Sequence, residues 1–365
     1  MRLAFITATP QNSRDGSGTF VGNARLADAL RAQGHRVDFH TPTTRSGHFG
    51  FTLQRFSWNL GLNPRAFDAC DAVIGLDMDG YAIARRVSAP FIAFIHGIIG
   101  DEATFERGMV RRSLLLQAAA ERQSVRRARW TLTTSEFSRG RLAELYGIPV
   151  DRIGIVPQSV DLTVWDSALA RINAPRATRP TVLCVGVQYP RKNVDTLVRA
   201  AAILVAEFPD LEVRIASKGP EWGRLVQLAA SLGLQRTITF LGYVPFDALV
   251  EEYQRCNVFC LPSLQEGYGI VFAEAMATRR AIVACRASST PEVIQDGGQG
   301  LLAEPRNPGD LAEKLAMVLR SQPLATRLGE AGRARIAQFD APHCASIFIE
   351  QIRAVLPRRM LPNGS

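Results

Sequence analysis

Short apolar runs rich in Val, Ile, Leu and Phe recur along the first half of the chain at Leu3–Thr7, Arg36–Thr41, Ala72–Leu76, Phe91–His96, Trp130–Ser135 and Ile153–Pro157. Their hydrophobicity is continuous rather than alternating, which predicts parallel strands buried on both faces. A second series follows at Thr181–Gly186, Leu211–Ser217, Thr237–Leu241, Val258–Pro262, Ala281–Cys285 and Gly300–Ala303. Amphipathic stretches of helical period separate the runs, among them Val21–Gln33, Asn193–Phe208, Trp222–Leu232, Phe246–Arg255 and Phe272–Arg279. Six strand–helix alternations, twice over, predict two doubly wound α/β domains; a barrel would run eight units without a break. The break falls where the strand signal lapses and Ala, Arg and Pro accumulate between Asp161 and Pro180. The expected organisation is a first domain over 1–165, a linker over 166–180 and a second domain over 181–340, with an apolar helix near 345–357 packing back on the first. Two domains of this kind are expected to face each other across a cleft lined by the carboxyl ends of their strands.

Composition adds exclusions. The longest apolar stretch, Ala89–Gly100, is broken by Pro90 and His96 and falls far short of the ~20 residues a membrane span needs. The apolar start is too short for a signal-peptide core and reads as a first strand, so a cytoplasmic protein is the expectation. Six scattered cysteines show no paired C-x-x-C spacing and are expected as buried thiols. The net charge is +9, and three of the 43 basic residues are lysines: Lys192, Lys218 and Lys314.

Chemistry concentrates in SLQEGYGIVFAEAMA, which follows the strand Val258–Pro262. Gly267 and Gly269 let the backbone approach a ligand, and the N-terminus of a helix starting near Ile270 favours an anion. Glu266 before that helix and Glu274 one turn into it can accept from sugar hydroxyls, or simply complement the helix dipole. In VGVQYPRKNVDTL, Arg191 and Lys192 stand where two cations could hold a pyrophosphate, the alternative being a solvated turn. Gly16–Phe20 opens a helix behind the first strand but lacks the full G-x-G-x-x-G of a dinucleotide site. His96 emerges at a strand's carboxyl end, which favours a functional role over a satisfied core histidine.

These segments, in this order, resemble the family-four retaining glycosyltransferases of the GT-B fold: G-x-G before the helix ending LADALRAQGHRV, then IHG, SEFSRGRLAELYGIPVDRIGIVPQSVD, PRKN, ITFLGYV, and LPSLQEGYGIVFAEAMA followed by AIVACRASSTPEVIQDGGQGLL. The resemblance runs to about Pro308 and implies two Rossmann-like domains. It also implies that Gly18 meets the diphosphate of a nucleotide-sugar donor and that Arg191 with Lys192 neutralises it. Glu266, Tyr268, Gly269, Ile270 and Val271 would hold the transferred sugar and phosphates, Glu274 the ribose, Tyr243 and Val244 the base, and His96 the sugar hydroxymethyl. The catalytic set implied is His96, Glu266, Arg191 and Lys192. Departures are Val187 where many members carry Arg, QSVD at 158–161 for N-G-V-D, and Arg279–Arg280 where a Gly is common.

No metal or other cofactor is expected. Asp77-Met78-Asp79 looks like the metal-binding Asp-x-Asp of the other major glycosyltransferase fold, but its architecture is wrong and positioning of a loop or the acceptor is the preferred role. The acceptor, a glycan, a lipid-linked sugar or a small molecule, is expected against the loops near Thr43–Pro64 and Gly100–Arg112. The arginine-rich stretch Arg107–Arg141, beside Leu114–Leu116, reads either as a solvated basic face or as a peripheral contact with an anionic membrane. Nucleic-acid binding is not expected, since no aromatic or Gly-rich basic module accompanies the charge. A sugar-nucleotide epimerase or a non-catalytic sugar-nucleotide-binding protein of the same fold is the competing class.

Overall fold

A computed structural model describes residues 1–9, 18–42 and 48–356. Two compact units divide the chain: Met1–Ser159 with the stretch that begins at Ala341, and Val160–Asp340.

In unit one the chain runs β1 (Arg2–Ile6), α1 (Gly18–Ala32), β2 (Arg36–His40), α2 (His48–Gly61), β3 (Ala72–Leu76), β4 (Phe91–Ile95), α3 (Ile99–Glu102), α4 (Gly108–Arg127), β5 (Trp130–Thr133), α5 (Glu136–Tyr146) and β6 (Ile153–Ile155). The strands form one parallel sheet in the order β2-β1-β3-β4-β5-β6. Helices cover both faces, which is why every residue of β3 and β4 is buried and the strands read as uninterrupted apolar runs. Leu3, Phe5, Ile74 and Phe94 point to one face, with Leu26 and Leu30 of α1. Ala4, Ile6, Val73 and Ile95 point to the other, with Val125, Leu142 and Tyr146.

Unit two runs α6 (Leu162–Ile172), β7 (Thr181–Val185), α7 (Val194–Leu204), β8 (Glu212–Ala216), α8 (Trp222–Ser231), β9 (Ile238–Gly242), α9 (Phe246–Arg255), β10 (Val258–Leu261), α10 (Ile270–Ala277), β11 (Ala281–Cys285), α11 (Thr290–Val293), β12 (Gly300–Ala303), α12 (Pro308–Arg320) and α13 (Gln322–Ile336). The chain then returns to unit one as α14 (Ala341–Arg353), whose Phe348, Ile349 and Ile352 join the core over α1. The second sheet is ordered β12-β11-β10-β7-β8-β9, the doubly wound Rossmann order read from its far edge. All six cysteines are free and buried, and burial pushes the thiols of Cys184, Cys256 and Cys285 up to about 12.

Two segments differ from the sequence expectation. The stretch assigned to a linker over 166–180 begins inside α6, which belongs to unit two. Trp165 anchors it, fully buried with edge-on contacts to Phe246 and Tyr253. The stretch 43–64, expected as an acceptor loop, contains the helix α2; residues 43–47 lie outside the described residues. Its inward positions include Arg55 and Asn59, both buried, so the stripe that identifies an amphipathic helix is partly polar.

Candidate functional site

In a doubly wound sheet the crevice for a ligand lies at the strands' carboxyl ends, where the order reverses. In unit two that point is between β7 and β10, and the loops leaving these strands are laced together. The Leu264 amide donates to the Arg191 carbonyl (2.8 Å) and the Arg191 guanidinium to the Gln265 carbonyl (3.3 Å). Asn193, left-handed at φ 55°, donates its side-chain amide to the Pro262 carbonyl (3.1 Å).

This lacing brings the Lys192 ammonium onto the Glu266 carboxylate, where the Ser263 hydroxyl also donates (2.7 Å). Burial alone would raise the Glu266 carboxyl; the charges of Lys192 and Arg191 and the hydrogen bonds from Lys192 and Ser263 outweigh it and hold the group below its usual range. The Glu266 backbone is pinned on both sides, its amide donating to the Ser288 hydroxyl (2.9 Å) and its carbonyl accepting from that of Ser289 (3.0 Å). Sequence reasoning missed Ser263, Ser288, Ser289 and Asn193 as organisers. Their one signal is position, since each follows closely on a strand end.

Gly269 precedes α10 at φ 85°, and a Cβ there would lie 2.5 Å from the Phe272 ring, so only glycine gives this approach to the helix. Tyr268, Ile270 and Glu274 are buried, while Val271 is half-buried against the core. The Tyr253 hydroxyl lies 3.3 Å from the Glu274 carboxylate and 3.4 Å from the Val271 carbonyl. Burial, reinforced by the Glu274 charge, pushes the Tyr253 phenol well up and keeps it a donor. Tyr243 and Val244 follow β9, two strands from β7 at the same end of the sheet; Tyr243 is 47% exposed and Val244 packs on the core.

In unit one the order reverses between β1 and β3. Gly18 is the first residue of α1, behind β1; Gly16 and Ser17 lie outside the described residues. His96 caps β4, buried against Phe94, with Nδ1 3.7 Å from Asp77 Oδ1 and its amide donating to the same oxygen (3.0 Å). Burial would raise the Asp77 carboxyl, but His96 and Arg55 bring it below its usual value. Asp79 turns elsewhere. It is fully buried and accepts from Arg55 Nε (2.8 Å) and Nη2 (2.9 Å), Asn59 Nδ2 (2.9 Å) and the Ala8 amide (2.7 Å). The two carboxylates thus serve different partners, and no group of three metal-ligating side chains occurs among the described residues.

The arginine-rich stretch is less of a free surface than its composition suggests. Arg126 and Arg127 donate to the carbonyls of Tyr146 and Tyr81, Arg141 pairs with Asp101, and Arg139 with Glu136. Glu121 points inward and is fully buried. The residues that face solvent on α4 include Arg111, Arg112, Arg122 and Arg126 with Met109, Val110, Leu115 and Leu116. Next to it lies α2, joined through Thr52 and Ser113 (3.0 Å), exposing Leu53 and Leu60. No helix among the described residues is long and apolar enough to cross a membrane.

Comparison with known proteins fits this geometry. Residues 16–164 match the family described as Glycosyltransferase Family 4, and residues 167–335 that described as Glycosyl transferases group 1. A D-inositol 3-phosphate glycosyltransferase of Nocardia farcinica is 34% identical over 248 residues, 65% of this chain but only 55% of the relative, so the match spans little more than half of that protein. Among solved structures, sucrose-phosphate synthase from Thermosynechococcus elongatus superposes with a TM-score of 0.83 at 20% identity, covering 97% of this chain and 98% of its own. Anabaena HepE in complex with UDP and glucose gives 0.74 at 16% identity, covering 97% and 100%. At such identities the likeness establishes the shared GT-B fold.

Proposed function

Since the chain belongs to the family-four, group 1 glycosyltransferases, we propose that it moves a sugar from a nucleoside-diphosphate donor to an acceptor hydroxyl with retention at the anomeric carbon and without a metal. The observation that carries this is the Lys192–Glu266 pair, with Arg191 beside it, at the reversal point of the second sheet. Two cations and the N-terminus of α10 there form a cradle for a diphosphate. The acceptor oxygen attacks the anomeric carbon on the face the diphosphate leaves. The carbon–oxygen bond to the diphosphate breaks, and the departing oxygen takes the acceptor's proton. Arg191 and Lys192 stabilise the charge that develops on that leaving group, while Glu266, Tyr268, Gly269, Ile270 and Val271 hold sugar and phosphates. Glu274 takes the ribose, Tyr243 and Val244 the base, and Gly18 and His96 of unit one the diphosphate and the sugar hydroxymethyl, following the family resemblance. Metal independence is supported by the Asp-x-Asp carboxylates, whose oxygens already serve Arg55, Asn59 and His96. HepE, seen with UDP and glucose, supports a nucleotide sugar as donor class.

The acceptor is a glycan, a lipid-linked sugar or a small molecule. The exposed face of α2 and α4, apolar with a fringe of arginines, suits a peripheral contact with the cytoplasmic face of an anionic membrane.

The test is transfer or donor hydrolysis across a panel of nucleotide sugars, with and without EDTA. Turnover unaffected by EDTA is expected, and Lys192→Ala, assayed below its unfolding transition, should lose ~10²–10³ in rate, as for other preorganised charge-stabilising donors. Binding without turnover would mark a binding protein, epimerised sugar an epimerase, and near wild-type activity of Lys192→Ala would remove that residue from the mechanism.

A further inference from the structure

The pair Arg279–Arg280 stands just past the carboxyl end of α10, and nothing in the transfer reaction uses it. Arg279 adopts φ 54°, the left-handed conformation that glycine takes without cost and arginine does not. Strain retained at a position is a reason to ask what its side chain does. The two arginines follow the carboxyl end of α10, whose eight residues make it roughly 12 Å long, and so lie beyond the opposite end of that helix from the proposed donor cradle. Beside them opens a cavity of about 270 Å³ whose wall also includes Arg176, Gln254, Thr326 and Glu330.

The charge of this cavity is unbalanced. Arg279 pairs with Glu330 (3.2 Å), both largely exposed. Among the described residues Arg280 donates only to backbone carbonyls, those of Thr278 (3.1 Å) and Cys256 (3.2 Å), and Arg176 to the Gln322 side chain (3.0 Å). Burial, aided by the positive charges of Arg176 and Arg279, lowers the Arg280 guanidinium from its usual value, as expected of a cation set among cations. Gln254 contributes no selectivity of its own: its amide nitrogen donates to the Leu169 carbonyl (2.8 Å) and its oxygen accepts from the Ala174 amide (2.9 Å). The Thr326 hydroxyl accepts from Gln322 (3.1 Å), which leaves its proton to offer.

We propose that this cavity binds a phosphate dianion, free or carried on a small molecule. Three guanidinium groups against one carboxylate leave two positive charges uncompensated, which matches a dianion, and planar guanidinium forks match the oxygens of a tetrahedral phosphoryl group. The volume sits just below the usual range for ligand pockets, so the occupant is small. This second site belongs to unit two alone and does not depend on the transferase reaction.

The full chain is titrated with inorganic phosphate, and in parallel with glycerol phosphate, at constant ionic strength made up with chloride, while the thermal unfolding midpoint is followed. Three proteins are compared: wild type, Arg191→Gln in the donor cradle, and the double variant Arg176→Ala with Arg279→Gln. Arg280 is left in place because it also holds the Cys256 carbonyl. Wild type and Arg191→Gln should show the same saturable rise, on the order of 3 °C at ten times the dissociation constant. The double variant should require at least tenfold more phosphate. A stronger response to glycerol phosphate would identify a carried phosphoryl group, and a stronger response to inorganic phosphate the free ion. No saturable rise, a response unchanged in the double variant, or one lost in Arg191→Gln would each overturn the proposal, the last by placing the phosphate in the donor cradle. Should the double variant not fold, Arg176→Ala alone, at an exposed position, carries the comparison.

Discussion

Removing the Lys192 side chain isolates what the pair at the β7–β10 reversal contributes. Lys192 and Glu266 retain 12% and 7% side-chain exposure, so Lys192→Ala leaves a carboxylate with little water to solvate it. Breaking a buried pair from one side costs about 3–5 kcal/mol. Ser263 still donates to Glu266 and Arg191 remains close, which places the expected loss near the lower end, about 3 kcal/mol at pH 7.5. The sign with pH follows from the direction of the shift. In the wild type the folded carboxyl lies below its unfolded value, so the pair contributes fully above the ordinary carboxylate range and fades as pH falls through the lowered folded value. In the variant the strongest opposing influence is gone and burial raises the same carboxyl. Its penalty at pH 7.5 should then ease as pH falls towards 5, where the neutral acid forms. Urea unfolding at both pH values, followed by tryptophan fluorescence and circular dichroism, measures this, with Trp165 and Trp222 reporting on unit two. The double variant Lys192→Ala with Glu266→Gln should recover most of the loss and show no such pH dependence. An equal deficit at pH 7.5 and 5, or a double variant no better than the single, would refute the reasoning.

Two further outcomes concern unit one. Glu121 accepts from the Ile99 amide (2.9 Å) and bonds the Tyr146 hydroxyl, and burial pushes its carboxyl well up. The folded state therefore keeps a proton that the unfolded chain releases, and stability declines as pH rises above the ordinary glutamate value. Glu121→Gln should flatten that decline between pH 5 and 8 in urea titrations, and an unchanged slope would contradict it. Asp79→Asn removes the charge facing the buried Arg55 and should cost about 3 kcal/mol; replacing Arg55 by Met in the same chain should return much of it, as thermal unfolding of the three proteins would show.

The strands are legible in the sequence because both faces of each sheet are covered, which turns strands such as Ala72–Leu76 and Ala281–Cys285 into unbroken apolar runs. Helices that bury a clean apolar stripe are legible for the same reason. The helix α2 is not, since Arg55 and Asn59 occupy its inner face to serve Asp79, and α6 is masked by the arginines and prolines that follow Trp165. Within the site, Glu266, Lys192 and His96 stand out singly, by residue type and by position at strand ends. Their partners do not. Lys192 and Glu266 are 74 residues apart and meet because β7 and β10 are neighbours in the sheet. Asp77 and Asp79, two residues apart, part company because a left-handed Asp77 turns the chain between them. The arginine cavity joins positions 176, 279 and 280 from distant stretches of chain. Residue types and local periodicity determined the elements and the inventory of reactive groups. Which groups neutralise one another and which charges remain uncompensated was decided only by the tertiary structure, because pairing in a parallel sheet follows strand order in space, and every crossover connection separates neighbours in the sheet along the chain.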